Sequence, residues 1–166
     1  KEDIQKNFNC CPKCGAHHKL SCVERFKIFF DNKEYEIIDT PLPKDDPINF
    51  VDTKKYTDRL KLARKITKQD DAVAIATGKV ENIQVTVGAQ DFRFIGGSFG
   101  AASGEAFIHG VQHAIDNKNP FIFFSCSGGQ RMMESAIALM QMSRTVLAVN
   151  ELKKYNLPYI VVLTNP

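Results

Sequence analysis

Apolar residues in the second half of the chain form short continuous runs that alternate with helical stripes. The run Phe121 to Phe124 contains only apolar residues, which predicts a strand buried on both faces. Residues 72–94 alternate between apolar and polar positions on either side of Glu81-Asn82, which predicts an antiparallel hairpin with its turn there. The run Tyr159 to Leu163 predicts a further buried strand.

Three helices are predicted from apolar residues that recur every three or four positions. The first runs from Asp52 to Gln69, with Asp52 or Thr53 as its N-cap. The second ends near Asp116 and carries one apolar face, formed by Phe107, Val111 and Ile115. The third begins near Gln130, and its methionine-rich side is expected in the core. That side comprises Met133, Ile137, Met140, Val146 and Val149.

Small residues form the connections between the last strands and helices. The first turn contains Gly96, Gly97 and Ser98, and the second contains Ser127-Gly128-Gly129. From Ile83 onward the predicted order is strand, glycine turn, helix, strand, glycine turn, helix, strand. Right-handed crossovers of this kind build an α/β sheet in which both turns lie at the same edge, where such sheets bind ligands.

Backbone N–H groups are the chemistry that these turns offer. A glycine turn at the start of a helix leaves N–H groups available and lets an oxygen approach closely. Backbone N–H groups from the two turns that converge on one oxygen would form an oxyanion hole suited to a thioester enolate. The Gly-Gly-x-x-Gly spacing at Gly96 differs from the dinucleotide fingerprint and from the phosphate loop.

Side chains near the turns do not have the pattern of a catalytic nucleophile. Cys126 and Ser127 lack the Gly-x-Ser-x-Gly elbow. His109 and His113 lie one turn apart on the predicted second helix and are interpreted as surface or core residues. A mechanism in which the hole stabilises charge, while the substrate or a cofactor supplies the reactive groups, fits this pattern better.

The first 22 residues contain Cys11-Pro-Lys-Cys14-Gly15, the pattern of a zinc knuckle. Two thiolates spaced in this way bind one metal ion, and a structural zinc site needs four ligands. The other two ligands are expected from a second cysteine pair upstream of Lys1, with Cys22 and His17 or His18 as alternatives. A pair of exposed thiols without metal is the other interpretation.

Residues 23–50 are predicted as a capping segment and linker. Val23 to Phe30 suggests a short amphipathic helix that caps the main core. The polar stretch that follows contains Pro41, Pro43 and Pro47 and is expected to be irregular. Residues 51–166 then form the main domain.

Composition is that of an ordinary soluble globular protein. The 166 residues are 43% hydrophobic and 25% charged, and a net charge of +3 is too small to indicate nucleic-acid binding by itself. The sequence has no apolar run of membrane-spanning length and no signal-peptide pattern, and its Cys-x-x-Cys pair suits a reducing compartment, so we expect a cytoplasmic protein. The start at Lys1 and the end at Pro166 predict a fragment of a longer protein.

Several of these motifs occur together in one known family. They are Cys11-Pro-Lys-Cys14, Lys54-Lys-Tyr56, Ile95-Gly-Gly-Ser-Phe-Gly100, Ser125-Cys-Ser-Gly-Gly-Gln-Arg-Met132 and Leu163-Thr-Asn-Pro166. In this order they resemble the β subunit of the bacterial-type acetyl-coenzyme A carboxylase carboxyltransferase. The resemblance covers nearly the whole chain. It implies a crotonase-like (ClpP/crotonase) α/β fold of repeated β-β-α units, with a zinc-ribbon remnant at the N-terminus and the first part of the carboxyltransferase domain in residues 51–166.

The resemblance assigns roles to several residues. Gly128 and Gly129 would supply oxyanion-hole N–H groups, and Gly96, Gly97 and Ser98 would form the facing turn and part of the acyl-CoA site. Cys11 and Cys14 would be half of a four-cysteine zinc site. Gln130 and Asn165 depart from the residues common in the family, which are Ala and Asp.

The activity implied is transfer of a carboxyl group from carboxybiotin to acetyl-CoA, which gives malonyl-CoA in the first committed step of fatty acid biosynthesis. Biotin would be supplied by the biotin carboxyl carrier protein. Biotin carboxylase and the carboxyltransferase α subunit, in an α2β2 heterotetramer, would be the other partners. The family's C-terminal part is absent from this sequence, so the fragment alone is predicted to be inactive.

Two other functions compete with this one. A single-chain crotonase-type acyl-CoA hydratase or thioesterase would use the same turns with Glu105 or Glu134 as acid or base. A zinc-knuckle nucleic-acid-binding protein would use the knuckle and the basic face of the predicted first helix. That face comprises Lys54, Lys55, Arg59, Lys61, Arg64, Lys65 and Lys68.

Overall fold

The structure, a computed structural model, describes residues 2–164, so Lys1, Asn165 and Pro166 lie outside the described residues. Its helices are α1 (Glu2–Lys6), α2 (Cys22–Phe29), α3 (Tyr56–Thr67), α4 (Ala101–Asp116) and α5 (Ala136–Lys154). Its strands are β1 (Tyr35–Ile38), β2 (Val73–Val80), β3 (Ile83–Gln90), β4 (Phe121–Ser125) and β5 (Tyr159–Leu163). Short 3-10 turns lie at Asp31–Lys33, Ile95–Gly97 and Met132–Glu134.

The strands form one mixed sheet in the order β1-β2-β3-β4-β5. The first three strands are antiparallel neighbours, and β3, β4 and β5 are parallel neighbours. The predicted hairpin is confirmed, and Glu81 and Asn82 both have positive φ, as a tight hairpin turn requires. The predicted alternation of strands, glycine turns and helices from Ile83 onward is also confirmed.

A hydrophobic core lies on each face of the sheet. Helix α4 and part of α5 cover one face of the sheet. Phe107 of α4 packs edge-to-face against Phe121 and Phe123, with distances between ring centroids of 5.2 and 5.1 Å. Phe26 of helix α2 and its C-cap residue Phe30 cover the other face. Because β4 lies between both cores, its four apolar residues are buried on both faces as predicted. Each such side chain stabilises the fold by about 2 kcal/mol.

The segment predicted as capping helix and linker contributes more than expected. Helix α2 is confirmed as a cap on the core, and its N-cap Ser21 forms a reciprocal capping box with Glu24. Strand β1 pairs with β2 and extends the sheet, so the expectation of an irregular chain throughout 31–50 was wrong for Tyr35–Ile38. Only four residues long, this strand gives a weak alternating signal.

Two predicted helix starts lie too early in the chain. Helix α3 begins at Tyr56, because Asp52 does not cap it and instead accepts hydrogen bonds from the Lys54 N–H and the Arg59 guanidinium. Helix α5 begins at Ala136 rather than near Gln130, since a 3-10 turn at Met132–Glu134 intervenes. The second glycine turn is therefore separated from its helix by an extra turn of chain.

The prediction of a core-facing methionine side on the third helix is wrong for Met140 and Val146, whereas Val149 packs against the core. Met133 precedes α5 and is buried, but Met140 is 61% exposed and Val146 is 59% exposed. Strand β5, predicted as buried, is also largely exposed, with Leu163 at 82%. The reason is geometric: β5 lies at the sheet edge, and no element of residues 2–164 packs over this surface.

None of the helices within 2–164 has the length and apolar character of a membrane span.

Candidate active site at the paired glycine turns

Two glycine turns meet at the carboxyl ends of β3 and β4. The first turn, residues 95–100, joins β3 to α4, and the second turn, residues 126–131, follows β4. The Gly128 N–H donates to the Gly96 carbonyl at 2.9 Å, and the Phe99 N–H donates to the Gly129 carbonyl at 2.9 Å. The prediction that both turns lie at one edge of the sheet is confirmed, and backbone hydrogen bonds join them directly.

Glycine is required at two positions of this pair. Gly97 has φ +63°, and a Cβ atom there would collide with the Cys126 carbonyl of the second turn. Gly129 has φ +122°, a region that residues with a side chain rarely adopt. The turns approach each other closely because Gly97 has no side chain.

The structure shows how the predicted oxyanion-hole donors are engaged. The Gly128 N–H is held by the Gly96 carbonyl and links the two turns. The Gly129 N–H donates to the Ser127 hydroxyl oxygen at 3.0 Å, at an exposed position. A hydroxyl at the surface can rotate away, so the Gly129 N–H is the donor that a substrate oxygen can reach. The Ser127 hydroxyl oxygen marks the position from which a substrate oxygen would accept the hydrogen bond of the Gly129 N–H.

Behind the turns lies a buried arginine that the sequence interpretation missed. The Arg131 side chain is 0% exposed and forms a two-pronged ion pair with Asp71, with N–O distances of 2.5 and 2.8 Å. Its Nη2 also donates to the Ser98 carbonyl at 2.6 Å. Burial alone would lower the pKa of Arg131, but the hydrogen bonds to Asp71 outweigh it and raise the pKa above its usual value. Arg131 therefore stays charged and ties the first turn to a buried carboxylate.

A second buried carboxylate completes this network. The Tyr56 hydroxyl donates to Glu134 Oε1 at 2.6 Å, and the Ala101 N–H at the start of α4 donates to Glu134 Oε2 at 2.5 Å. A negative charge at a helix N-terminus is favourable because the helix dipole is positive there. Burial, more than the neighbouring charges, raises the pKa of Tyr56, so its hydroxyl remains a donor. Glu134 is thus fully engaged in holding α4 and α3.

A cleft of about 500 Å³ opens beside the second turn, between β4, β5 and α5. The polar residues near the turns are Gln90, Ser125, Ser127 and Gln130, and Thr145 and Asn150 of α5 and Tyr159 of β5 also line the cleft. The walls are apolar and include Phe99, Phe107, Phe123, Val149, Val161 and Leu163. The outer wall is the same exposed surface of α5 and β5 that no described residue covers.

The other titratable candidates lie away from the turns or are already paired. His113 contacts Thr86 Oγ1 at 3.0 Å, and Thr86 pairs with Phe121 at the start of β4, the end opposite the turns. Glu105 forms an ion pair with Arg144. Along with the engaged Glu134, these contacts leave the described residues around the turns without an evident acid or base.

The zinc-knuckle motif folds into a tight turn with the expected backbone geometry. The Gly15 N–H donates to the Cys11 carbonyl at 2.8 Å, and Gly15 has φ +71°. Hydrogen bonds from the Cys14 backbone, and then from Lys13, lower the pKa of the Cys11 thiol, which favours the thiolate that zinc binds. Within residues 2–164 no group of three metal-ligand side chains surrounds the knuckle.

Cys22 is excluded from the zinc knuckle. Cys22 is the first residue of α2, and its buried thiol lies 3.1 Å from the Ala89 carbonyl oxygen. Burial raises the pKa of this thiol to about 12. Cys22 thus belongs to the core of the sheet, contrary to the alternative that placed it among the ligands. His17 pairs through its backbone with Cys10, and its side chain is exposed.

Comparison with known sequences identifies close relatives along the whole chain. The sequence-family model described as the carboxyl transferase domain matches residues 44–166 of this chain. The acetyl-coenzyme A carboxylase carboxyl transferase subunit beta of Pelagibacter ubique (strain HTCC1062) is 54% identical over 166 residues, which cover 100% of this chain and 54% of the relative. The subunit of the same name from Chelativorans sp. (strain BNC1) is 45% identical over 165 residues, covering 99% and 54% of the two chains. The chain therefore spans about half the length of these relatives.

Comparison with solved structures supports the same fold. A chain of transcarboxylase 12S aligns with a TM-score of 0.68 at 22% identity, covering 89% of this chain and 26% of that one. A Pseudomonas malonate decarboxylase hetero-dimer aligns with a TM-score of 0.64 at 18% identity, covering 89% and 53%. The predicted crotonase-like α/β fold is confirmed. With the family model matching most of its length, the chain belongs to the carboxyl transferase domain family.

Proposed function

We propose that the protein carrying this chain is the β subunit of an acetyl-CoA carboxylase carboxyltransferase, which forms malonyl-CoA from acetyl-CoA. The observation that carries the proposal is the direct hydrogen bonding of two glycine turns at one sheet edge, Gly128 to Gly96 and Phe99 to Gly129. Relatives with this name match the chain from end to end, which supports the same activity.

The chemistry required of this chain is stabilisation of negative charge. Removal of a proton from the acetyl methyl group of acetyl-CoA moves negative charge onto the thioester oxygen. The Gly129 N–H would donate to that oxygen instead of to the Ser127 hydroxyl, and a preorganised donor of this kind contributes roughly 3–4 kcal/mol. Gly96, Gly97 and Ser98 would border the acyl-CoA site on the facing side.

Carboxybiotin on a carrier protein would supply the carboxyl group and, once that group has left, the base for the methyl proton. A base supplied by biotin agrees with the contacts of Glu105 and Glu134, which are both engaged in ion pairs and hydrogen bonds within the described chain. The hydratase or thioesterase alternative needs one of these carboxylates to act on water or substrate. Both would first have to leave their partners, so the contacts favour the carboxyltransferase.

The remaining parts of the proposal concern zinc and partners. Cys11 and Cys14 would hold half of a structural zinc site, and two further ligands would come from elsewhere in the protein. The α subunit in an α2β2 heterotetramer, the biotin carboxyl carrier protein and biotin carboxylase are the proposed partners, in the cytoplasm. The nucleic-acid alternative is weakened because Arg59 is paired with Asp52 and Arg64 with Asp45, which neutralises part of the basic face.

The test is a carboxyl-transfer assay of the full-length protein with an α subunit and a carboxylated biotin carrier. We expect malonyl-CoA that depends on all three components, measured by chromatography and mass spectrometry. The matched control omits the carrier and supplies enoyl-CoA or acetyl-CoA alone. Hydration or thioester cleavage in that control, without malonyl-CoA in the complete reaction, would refute the proposal in favour of the single-chain enzyme.

A further inference from the structure

One buried side chain forms hydrogen bonds to both stretches of backbone that meet at the site. Gln90 is the last residue of β3 and is 2% exposed. Its Nε2 donates to the Gly97 carbonyl of the first turn at 3.1 Å. Its Oε1 accepts from the Cys126 N–H of the second turn at 3.1 Å and from the Ser125 hydroxyl at 3.2 Å.

The partners fix the orientation of this amide. Gly97 offers a carbonyl oxygen, which only the amide nitrogen can bond, and Cys126 offers an N–H, which only the amide oxygen can bond. Rotating the amide by 180° would place like groups against each other on both sides. Gln90 therefore acts as a spacer with a donor end and an acceptor end, held in one orientation.

The spacer acts where the turns are closest. Gly97 and Cys126 are the residues that Gln90 joins, and they are also in backbone contact, because the Cys126 carbonyl lies where a Cβ of Gly97 would be. The Gly129 N–H lies three residues beyond Cys126 on the same turn. A change in the position of Cys126 relative to Gly97 would therefore shift that donor.

The geometry points to Gln90 as a positioning residue for the reaction: it sets the separation of the two turns and so the location of the Gly129 N–H. This inference rests on the proposed function, since it concerns the oxyanion donor of the same site. It assigns Gln90 no proton transfer and no bond to the reacting atoms. A group that only positions the donor affects the transition state more than the binding of substrate.

The test uses Gln90→Met in the full-length protein assembled with its partners. Methionine has nearly the same volume and removes all three hydrogen bonds. We expect kcat for malonyl-CoA formation to fall about 100-fold, because a displacement near 1 Å at a site costs that much. KM for acetyl-CoA should change by less than about threefold.

Gln84→Met is the matched control, because Gln84 is an exposed amide on the same strand and bonds only Thr77 in the described chain. It should leave kcat and KM unchanged. Thermal unfolding of each variant separates loss of fold from loss of positioning. If Gln90→Met does not fold, Gln90→Glu carries the test at a pH where its carboxylate is ionised, because it then keeps the acceptor for Cys126 and cannot donate to Gly97; its kcat should also fall with KM retained.

Two outcomes would overturn the inference. One is a folded Gln90 variant with kcat within about threefold of wild type, and the other is a change confined to KM. Failure of the proposed function has a different signature, because the wild-type assembly would then form no malonyl-CoA.

Discussion

The two glycine turns have the same kind of sequence but opposite surroundings. In the first turn Gly97 and Gly100 are buried, whereas in the second turn Gly128 and Gly129 are exposed. Four consecutive carbonyls of the first turn, from Gly96 to Phe99, accept hydrogen bonds from Gly128, Gln90 and Arg131. The first turn is thus held fixed by its neighbours, while the second turn leaves its glycine backbone exposed.

Strain in the first turn agrees with this division. Ile95 has φ +48°, although a β-branched residue strongly disfavours positive φ. Such a conformation costs on the order of 1–3 kcal/mol and persists only where the surroundings enforce it. The hydrogen bonds from Arg131 and Gln90 to the following residues are contacts that could enforce it.

The largest expected effect comes from removing the charge that holds the first turn. Arg131→Met should lower the free energy of unfolding of the full-length protein by about 3–5 kcal/mol, because Asp71 and Glu134 would be left buried without their cation. Urea unfolding followed by circular dichroism measures it. Arg144→Met is the control, since its ion pair with Glu105 is partly exposed and is worth about 0–1 kcal/mol. Equal effects of the two substitutions would contradict a special role for the buried network.

A smaller effect on stability, with a large effect on activity, is expected from Gly97→Ala. The added methyl group would collide with the Cys126 carbonyl and force the turns apart. We expect destabilisation of about 1–3 kcal/mol and a fall in kcat of about 100-fold.

The neighbouring glycine provides a matched control for that substitution. A Cβ at Gly96 would meet no atom within 4 Å, although its φ of +66° makes alanine strained there too. Gly96→Ala should therefore cost only about 1–2 kcal/mol of stability and retain most of kcat, with any loss of activity confined to KM because Gly96 borders the proposed acyl-CoA site. If kinetic assays show equal losses for both variants, close approach of the turns is not what activity requires.

The smallest effect is expected in the second turn, from Ser127→Ala. The Ser127 hydroxyl occupies the Gly129 N–H, and its removal would leave that donor available to substrate. We expect kcat/KM to stay unchanged or rise by up to about threefold, the value of one exposed hydrogen bond. Ser143→Ala, at an exposed position of α5, is the control. A loss of several orders of magnitude would instead identify Ser127 as a nucleophile.

The sequence allowed the local features of the site to be predicted. The hairpin at Glu81-Asn82, the buried strand Phe121–Ser125 and both glycine turns depend on neighbouring residues, and all were found where expected. Their placement at one edge followed from the handedness of the crossovers. Of the site residues, Gly128 and Gly129 were placed correctly at that edge, and their catalytic role stays a prediction.

The contacts that hold the turns together could not be predicted in this way. Asp71 and Arg131 are 60 residues apart, and Tyr56 and Arg131 are 75 apart, so no local pattern connects them. Arg131 precedes the apolar residues Met132 and Met133, and this mixture resembles an amphipathic helix. The start of the third helix was therefore predicted too early. Gln90 gave the same difficulty, because a polar residue at a strand end is commonly exposed.

The uncovered outer edge of β5 determines how this chain should behave at high concentration. Within residues 2–164 this strand pairs only with β4, so its other edge carries backbone groups without strand partners, beside the exposed side chains of Ile160, Val161 and Leu163. Such an edge readily adds a strand from another molecule. The 166-residue chain on its own should therefore self-associate and lose solubility as its concentration rises.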